Sequence, residues 1–334
     1  MHPALQGLVT IVLGVGGCVG YFWLANLFLD KVVFPAKGVN IGRNINRANL
    51  VRPWLFLLPA VVALGLYLVY PVFETLRLSV TERLPGGGYQ FVWFDNYAQM
   101  LIEPKFWEAL QNNFLWLLIV PAASTVFGLL VAQLTDRIRW GALAKSMVFM
   151  PMAISFVGAA VIWKLVYDFR PIDQEQIGVL NALYVAVGGQ PQTWLTVPFW
   201  NSLLLMVVLI WIQTGFAMVI LSGALRGIPE ETIEAAIVDG ANPFQIFFKI
   251  KIPQIYGTII VVWTTITLVV LKVFDIVFAM TNGQWETQVL ANYMYDKLFR
   301  ANDWGVGSAS AMVIMLLVTP ILVWNVINAR REMR

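Results

Sequence analysis

Polar side chains that interrupt apolar segments are the groups in this chain most able to bind a hydrated solute. Gln213 and Thr214 lie within "IWIQTGFAM", and Thr264 and Thr267 lie within "WTTITLVVLKVFD". An amide offers both donors and an acceptor to hydroxyl groups. Polar groups in membrane segments are costly and usually face the protein interior. We therefore expect Gln213 to be the principal ligand, with Gly215 leaving room beside it.

Two of these polar positions carry opposite charges. Lys272 and Asp275 stand three residues apart, a spacing that brings two side chains together on one helix face. We expect a structural pair or an outer gate in preference to direct contact with a solute. The threonines have an alternative role, because a hydroxyl in a helix often bonds the backbone carbonyl one turn earlier.

The residue types that most often act in catalysis or bind metals are nearly absent from this chain. His2 is the only histidine and Cys18 the only cysteine, so an intrachain disulfide, a paired-cysteine zinc site and a histidine-based triad are not expected. The net charge of +3 is small and scattered, which gives no indication of nucleic-acid binding. We expect no catalytic residue and no metal site.

The composition indicates a membrane protein. Of 334 residues, 59% are hydrophobic and 12% are charged, and the mean hydropathy is +0.73. A soluble domain has about a quarter of its residues charged, and a membrane-spanning helix needs about 20 apolar residues. Seven segments qualify, at residues 8–29, 53–80, 106–134, 146–167, 199–225, 254–280 and 304–328.

The orientation follows from the distribution of Lys and Arg. Fourteen of the 22 fall in one set of connections, five in the opposite set and three inside predicted spans. The first set comprises Lys31, Lys37, Arg43, Arg47, Arg52, Arg137, Arg139, Lys145, Arg226, Lys249, Lys251, Arg330, Arg331 and Arg334. We expect that side to be cytoplasmic, with the amino terminus outside and the carboxy terminus inside. The first span lacks a positive leader and a cleavage site, so we interpret it as a retained helix.

The segment 228–253, "IPEETIEAAIVDGANPFQIFFKIKIP", separates two spans and reads as two short helices with a break. Pro229 suits the first helical position, and Gly240 suits the left-handed residue that ends a helix. Asn242 can cap the second helix, with Pro243 at its first position. Pro253 is expected to separate that helix from the following span.

Two interpretations of this segment are open on helix chemistry alone. Ile233, Ala236 and Ile237 would form one narrow apolar face, which suits a helix that covers the membrane surface. The small residues and the flexible glycine also suit close approach by a cytoplasmic partner.

The spacing in this segment resembles a known family pattern. Glu-Ala-Ala at 234–236 is followed after three residues by Gly240, and after nine more by Ile250, Lys251, Ile252 and Pro253. This resembles the EAA loop of ABC-importer permeases, EAA-x3-G-x9-I-x-L-P, with Ile252 in place of leucine. The resemblance implies that residues 228–253, here named the coupling loop, contact an ATPase subunit. The implied contact positions are Glu234, Ala235, Ala236, Asp239, Gly240, Phe244, Ile250 and Pro253.

The resemblance extends over nearly the whole chain. Residues 52–79 resemble the span that opens the core of sugar-importer permeases, and residues 274–283 and 287–311 resemble the stretches before its last span. The extra first helix is similar to that of the larger maltose-importer permease, and "MTNGQWETQVLANYMYDKLFR" is similar to alpha-glucoside permeases. Asn282-Gly283-Gln284 replaces the family's usual glycine-glycine-proline.

The resemblance implies an all-α integral membrane protein with a six-helix type I importer core at 53–334. Residues 1–52 would form an amino-terminal transmembrane helix and a cytoplasmic linker. The chain would lie in a bacterial inner membrane and would bind no cofactor, because it has no G-x-x-x-x-G-K-[ST] loop. Implied partners are a second related permease, two ATPase subunits that bind ATP and Mg²⁺, an extracytoplasmic solute-binding protein, and membrane lipid.

For a sugar as the solute, the resemblance favours ligands on the fifth and sixth spans. Gln213, Thr214, Thr264 and Thr267 lie there. Ser155, near the middle of the fourth span, and Trp163, toward its outer end, are additional candidates, since a Trp ring can stack on a sugar face.

Two other classes compete with this interpretation. A secondary transporter or polar-solute channel would usually show broken half-helices in two corresponding positions, or paired carboxylates deep in the membrane, and the sequence indicates neither. A membrane-embedded enzyme would need a catalytic constellation that this chain lacks.

Overall fold

The computed structural model describes residues 3–35, 41–84, 86–136 and 138–332. Three cations counted for orientation, Lys37, Arg137 and Arg334, lie outside the described residues, and the side chains of Arg330 and Arg331 do as well. The chain divides into two compact units, Met1–Glu74 and Thr75–Arg334.

The first unit consists of long apolar helices. Helix α1 spans Pro3–Phe28 and continues as a π-helical turn, Leu29–Val33. Helix α2 spans Ile41–Leu64 and continues through a second π turn, Gly65–Val69, into α3. The residues predicted as a linker before position 53 are therefore helical from Ile41 onward.

Two polar contacts join α1 and its π turn to α2. The Tyr21 hydroxyl donates a hydrogen bond to the Leu55 carbonyl at 2.7 Å. Arg52 forms an ion pair with Asp30 at 2.7 Å. Helix α3, Tyr70–Ser79, contains the division between the two units.

The second unit opens with a small element outside the predicted all-α pattern. Strands β1, Thr81–Arg83, and β2, Tyr89–Phe91, pair antiparallel. Helix α4, Asp95–Ile102, follows. The Asn96 amide donates to the carbonyls of Ser79 and Thr81 at 2.9 and 3.0 Å, which fixes α4 beside the strand.

Two long helices form the centre of the second unit. Helix α5 spans Pro104–Thr135 and α9 spans Trp200–Arg226. Their approach is close at Gly128, where an added Cβ would stand 2.4 Å from the Ala217 Cβ. Such close approach through small residues is typical of helix packing in membranes.

The remaining helices pack around or connect this pair. Their bounds are α6 Gly141–Phe149, α7 Phe156–Val166, α8 Val179–Ala186, α10 Glu230–Val238, α11 Pro243–Gln245, α12 Ile252–Gln254, α13 Tyr256–Leu271, α14 Asp275–Met280, α15 Leu290–Tyr295 and α16 Trp304–Glu332. The end of the unit that carries the coupling loop is named the inner end, and the opposite end the outer end.

The fourth predicted span is not one straight helix. Helix α6 and the 3-10 turn Met150–Ala153 meet α7 at an angle of 106°. Ile154 and Ser155 are extended, with ψ of 140° and 151°, and Pro151 lacks the N–H that a continuing helix would use. The prediction of one helix over 146–167 was therefore wrong.

The sixth predicted span is also broken. Residues 243–254 meet α13 at an angle of 70°. At its other end α13 stops at Leu271, and a separate short helix begins at Asp275. Helix α13 begins at Tyr256, close to the predicted start at residue 254, and the prediction of one helix as far as residue 280 was wrong beyond Leu271.

The count of spans agrees with the sequence. In the described ranges, five helical segments are long and apolar enough to cross a membrane, and seven if each bent pair is one span. These five are Pro3–Val33, Ile41–Ser79, Pro104–Thr135, Trp200–Arg226 and Trp304–Trp324.

Candidate functional site

The first half of the coupling loop is helix α10. Pro229, with φ −56° and ψ 132°, precedes the helix as its N-cap, one position earlier than predicted. Two glutamates occupy the first turn, where carboxylates interact favourably with the helix dipole. Asp239 caps the carboxy end, and Gly240 follows with φ +81°. The predicted left-handed glycine is confirmed, because this φ is unfavourable for residues with a Cβ.

A reciprocal capping box starts the second half of the coupling loop. The Asn242 side chain accepts from the Gln245 N–H at 2.9 Å, and the Asn242 N–H donates to the Gln245 side chain at 2.8 Å. The predicted cap at Asn242 is confirmed. The role of Gln245 was missed, although the spacing of a capping box was present in the sequence.

The second helix of the coupling loop runs further than predicted. After α11 it continues as a π turn, Ile246–Lys251, and as α12. Pro253 lies inside α12, so it does not separate the loop from the span. The chain bends two residues later, at Ile255, where φ is −99° and ψ is 10°.

The coupling loop presents a mixed apolar and acidic surface. Glu234, Ala235, Asp239, Gly240 and Pro253 are exposed, and so is Phe244, at 77%. Ala236 is buried and Ile250 is half-buried, so these two side chains pack against the rest of the chain and help to position the loop. Ile237 is 58% exposed, so the predicted apolar face of α10 is only partly packed against the chain itself. Exposed apolar groups on such a loop are typical of an interaction site.

A cluster of charged residues at the inner end was not predicted. The Asp136 carboxylate, which follows α5, accepts hydrogen bonds from the Arg226 guanidinium at 2.9 and 3.0 Å. It also pairs with Lys145 of α6. Ser222 of α9 donates to the same carboxylate at 3.3 Å and accepts from Lys145 at 2.5 Å. Three helices therefore meet at one anion.

The ionisation of Asp136 reflects opposing effects. Burial disfavours the charged form, whereas hydrogen bonds and attraction from Lys145 and Arg226 favour it. The effect of the two cations is larger than that of burial, so the pKa of Asp136 lies below its ordinary value of 3.8. The carboxylate is thus charged at neutral pH.

Gln213 lies on the buried side of α9 with its amide free of partners. The residue is 7% exposed, and its amide takes part in none of the side-chain hydrogen bonds found between described residues. Gly215 does not leave room for a ligand as expected. An added Cβ there would stand 2.6 Å from the Val148 carbonyl oxygen, so the backbone of α6 occupies that space.

The three threonine candidates bond their own helices. Thr214 donates to the Ile210 carbonyl at 2.7 Å, Thr264 to the Ile260 carbonyl at 2.9 Å, and Thr267 to the Trp263 carbonyl at 2.8 Å. Each hydroxyl therefore has a structural role in this conformation, while its oxygen can still accept a hydrogen bond.

The two candidates from the fourth span lie beyond its break. Ser155 caps α7 and accepts from the Gly158 N–H at 3.1 Å. Trp163 packs edge-on against Trp211 of α9, with ring centroids 5.7 Å apart, and remains half-buried.

Lys272 and Asp275 do not share a helix face. Lys272 leaves the helical conformation with φ −114° and ψ 24°, and Phe274 is at φ −139°, so the i, i+3 geometry is lost. Among the described residues the two form no ion pair. Both line one recess of about 330 Å³, together with Phe156 and Leu209. The role of a gate stays a prediction.

A second polar cluster lies at the outer end. The Glu103 carboxylate accepts from the Tyr293 hydroxyl at 2.8 Å and from Lys297 at 2.5 Å. Burial and the nearby Glu103 charge raise the pKa of Tyr293, so its hydroxyl remains a donor. These residues line a recess of about 370 Å³, with Gln288 and Arg300 among its other walls.

The segment 281–289, named the outer loop, has a constrained backbone beside this cluster. Asn282, Gly283, Trp285 and Glu286 all have positive φ. At Gly283, with φ +71°, a Cβ would be strained and would stand 2.2 Å from the Gln288 side-chain oxygen, so this position favours glycine. Within the described ranges, no group of three or more His, Cys, Asp or Glu side chains could hold a metal ion.

A bundle of long apolar helices with broken spans and an exposed two-helix loop at its inner end defines a membrane transport subunit. Residues 124–334 match the family model "Binding-protein-dependent transport system inner membrane component". The chain belongs to this family, the permease subunits of ABC importers, which are transport subunits without enzymatic activity.

Known relatives and structures agree with this assignment. The chain is 62% identical to the alpha-glucoside transport system permease protein AglF of Rhizobium meliloti, over 99% of each chain. It is 45% identical to the osmoprotective compounds uptake permease protein GgtC of Synechocystis, over 81% of this chain and 96% of that one. A bacterial ABC transporter that imports alginate has the same fold, with a TM-score of 0.73, 20% identity, and coverage of 87% and 98%.

Proposed function

We propose that this chain forms half of the translocation path of an ATP-driven sugar importer, and that the sugar is an alpha-glucoside or an oligosaccharide such as maltose or trehalose. The observation that carries the sugar proposal is the 62% identity to an alpha-glucoside permease over 99% of both chains. A relative that takes up osmoprotective compounds, at 45% identity, supports a small polar solute more generally.

The coupling loop is the proposed contact with a cytoplasmic ATPase. Glu234, Asp239 and Phe244 are exposed on it, and Gly240 leaves open space, since an added Cβ there meets no atom within 4 Å. A partner surface can therefore approach the backbone at this turn. ATP and Mg²⁺ bind in that partner, of which two copies serve two related permeases. The sequence of this chain contains no G-x-x-x-x-G-K-[ST] phosphate loop.

The solute path is proposed to pass beside Gln213. The residue is 7% exposed and its amide has no hydrogen-bond partner among the described residues, so its donors and its acceptor are available to sugar hydroxyls. Trp163 offers a half-buried ring toward the outer end. Thr214, Thr264, Thr267 and Ser155 are secondary candidates, because their hydroxyls already serve their own helices.

The proposed cycle is alternating access. Closure of the ATPases moves the coupling loops together, and the cavity near Gln213 opens to a docked extracytoplasmic solute-binding protein. Hydrolysis returns the cavity to the inside. Lys272 and Asp275 act as an outer gate in this scheme. The amino terminus lies outside, the inner end faces the cytoplasm, and residues 53–334 form the transporting core.

The test is solute-stimulated ATP hydrolysis in liposomes. The chain is co-expressed with its neighbouring permease and ATPase, and binding proteins are supplied with maltose, trehalose, sucrose or glycerol phosphate. Stimulation by an alpha-glucoside supports the proposal. Stimulation by glycerol phosphate alone contradicts the sugar and keeps the importer, whereas failure to assemble with any ATPase contradicts the coupling role.

A further inference from the structure

Helix α5 contacts both ends of the coupling loop. Asp136 holds Arg226, which is the last residue of α9 and lies just before the loop, at 2.9 Å. Gln133 accepts a hydrogen bond from Lys251, near the end of the loop, at 3.1 Å. Residues 133 and 136 are three apart, so they lie on neighbouring positions of one side of the helix end. A movement of either end of the coupling loop would therefore displace the inner end of α5.

The opposite end of α5 holds the outer loop. The Asn112 amide donates to the carbonyls of Glu286 and Gln288, each at 2.8 Å. Asn113 accepts from the Leu290 N–H at 2.8 Å. The partners of Asn112 and Asn113 in these hydrogen bonds are backbone atoms. The bonds therefore hold the main chain of the outer loop and do not depend on its side chains.

The outer loop is constrained enough to follow a movement of α5. Its positive φ angles at Trp285 and Glu286 are costly for residues with a Cβ, and they persist only where surrounding contacts impose them. Asn201 of α9 adds another such contact by donating to the Trp285 carbonyl at 2.6 Å. A shift of α5 relative to α9 would thus change the conformation of the outer loop.

A continuous helix connects these two sets of contacts. Helix α5 has 32 residues, about 48 Å at about 1.5 Å per residue. Pro121 lies inside it, near two buried hydroxyls, Ser124 and Thr125, that have no hydrogen-bond partner in the described ranges. Any bend of α5 is expected there, and the inner half of α5 packs closely on α9 where Gly128 meets Ala217.

We propose that α5 transmits movement of the coupling loop to the outer loop, with Asp136 and Gln133 as the positioning residues at its inner end. The proposal rests on the proposed function, because it needs an ATPase that moves the coupling loop. Neutralising Asp136 would remove the charge that holds Lys145 of α6 and Arg226 of α9 to the end of α5. The two cations would then remain as neighbouring like charges, and α5 would lose this attachment to both helices.

The experiment reads the outer loop while the ATPase acts at the inner end. Cys18 is the only cysteine, so Cys18→Ser with Gln284→Cys gives one labelling site on an exposed outer-loop position. The assembled transporter in liposomes carries an environment-sensitive fluorophore there. With native Asp136, trapping the ATP-bound state is expected to change the fluorescence. With Asp136→Asn, that change and the uptake per ATP hydrolysed are expected to fall at least five-fold, with the KM for ATP unchanged.

A matched control separates this role from loss of an ion pair in general. Asp30→Asn makes the same substitution in the Asp30–Arg52 pair of the first unit and is expected to leave both readouts unchanged. The double variant Lys145→Met, Asp136→Asn is expected to lower the fluorescence change and the uptake per ATP no further than Asp136→Asn alone. The two residues form one ion pair, so their effects are not additive.

Two results would overturn the proposal. One is an unchanged fluorescence response in Asp136→Asn. The other is a proportional loss of ATP hydrolysis and uptake, which would mean that Asp136 serves only assembly. Failure of the proposed function is distinguishable, because the complex with native Asp136 would then show no ATP-dependent signal or no sugar-stimulated hydrolysis.

Discussion

The Cα of Gly215 lies directly against the backbone of Val148. A Cβ at this glycine would stand 2.6 Å from the Val148 carbonyl oxygen and 3.0 Å from the Phe149 Cα. Both obstacles are backbone atoms, which cannot turn aside as a flexible side chain would. Gly215 therefore sets how closely α6 approaches α9, just before the chain makes its 106° bend.

Gly215→Ala is expected to destabilise the permease because α6 must move away from α9. Overpacking of this kind costs about 1–3 kcal/mol. The measurement is the thermal unfolding midpoint of the detergent-solubilised complex. Gly223→Ala, on the same helix, is the matched control, since a Cβ there meets no atom within 4 Å. Equal midpoints for the two variants would contradict the close contact.

The local features of this fold were predictable where one residue type determines the backbone. Gly240 and Asn242 were identified from the sequence, because a left-handed φ favours glycine and a free helix end favours a short polar acceptor. The long spans were predictable for a similar reason, since unpaired backbone groups are excluded from lipid and force continuous helices.

The two bends were not predictable from hydropathy. Residues 150–156 are as apolar as their surroundings, and the charges of Lys272 and Asp275 stand in an otherwise apolar segment, so an average over 20 residues passes through both breaks. Tertiary contacts determine where the helices break. For example, Lys164 donates a hydrogen bond to the Ala279 carbonyl of α14 at 3.2 Å, which helps to hold the short helix beyond the second break. Broken helices are typical of secondary transporters, and this permease has them too.

The candidate site was predictable in part. Gln213 was identified because an amide within an apolar segment is costly unless it has a function. The partners of Asp136, in contrast, come from two other helices, at sequence separations of 9, 86 and 90. No local sequence pattern predicts a contact between residues so far apart in the chain. The error at Gly215 has a similar origin, because a glycine in a helix indicates close approach without identifying what approaches.

Gln213→Ala is expected to weaken uptake of the sugar by removing hydrogen bonds to its hydroxyls. A net hydrogen bond contributes about 0.5–1.5 kcal/mol, or about two- to twelve-fold in KM. The measurement is the concentration dependence of uptake into liposomes that contain the full complex. Val219→Ala, at an exposed position of the same helix, is the control and is expected to leave KM unchanged, because this side chain faces away from the buried side that carries Gln213. Unchanged kinetics in Gln213→Ala would remove this residue from the path.

Gly240→Val and Gly240→Asn separate two reasons for the glycine. With φ at +81°, valine adds a backbone cost of about 1–2 kcal/mol, whereas asparagine tolerates this region. Both variants are expected to reach the membrane and to lower uptake per ATP hydrolysed, because either side chain fills space needed by the ATPase. Normal transport by Gly240→Asn would show that only the backbone conformation matters, and normal transport by both would contradict the coupling role.

The pH dependence of the inner cluster follows from the lowered pKa of Asp136. A carboxylate whose pKa is lower in the folded state than in the unfolded state stabilises the fold above the unfolded pKa, here near 3.8, and loses that contribution as the pH falls through the lowered value. The difference in unfolding midpoint between Asp136 and Asp136→Asn is therefore expected to be constant from pH 8 to about pH 5. It should shrink only near and below pH 3.8.

The measurement is a series of thermal unfolding curves for both proteins across that range, at fixed ionic strength because the cluster is partly exposed to screening. Burial and the two cations act in opposite directions on Asp136, so the pH at which the difference disappears reports which effect is larger. A difference that already declines between pH 7 and 5 would mean that burial outweighs Lys145 and Arg226. Adding Lys145→Met is expected to move the decline to higher pH, because one of the two attracting charges is then absent.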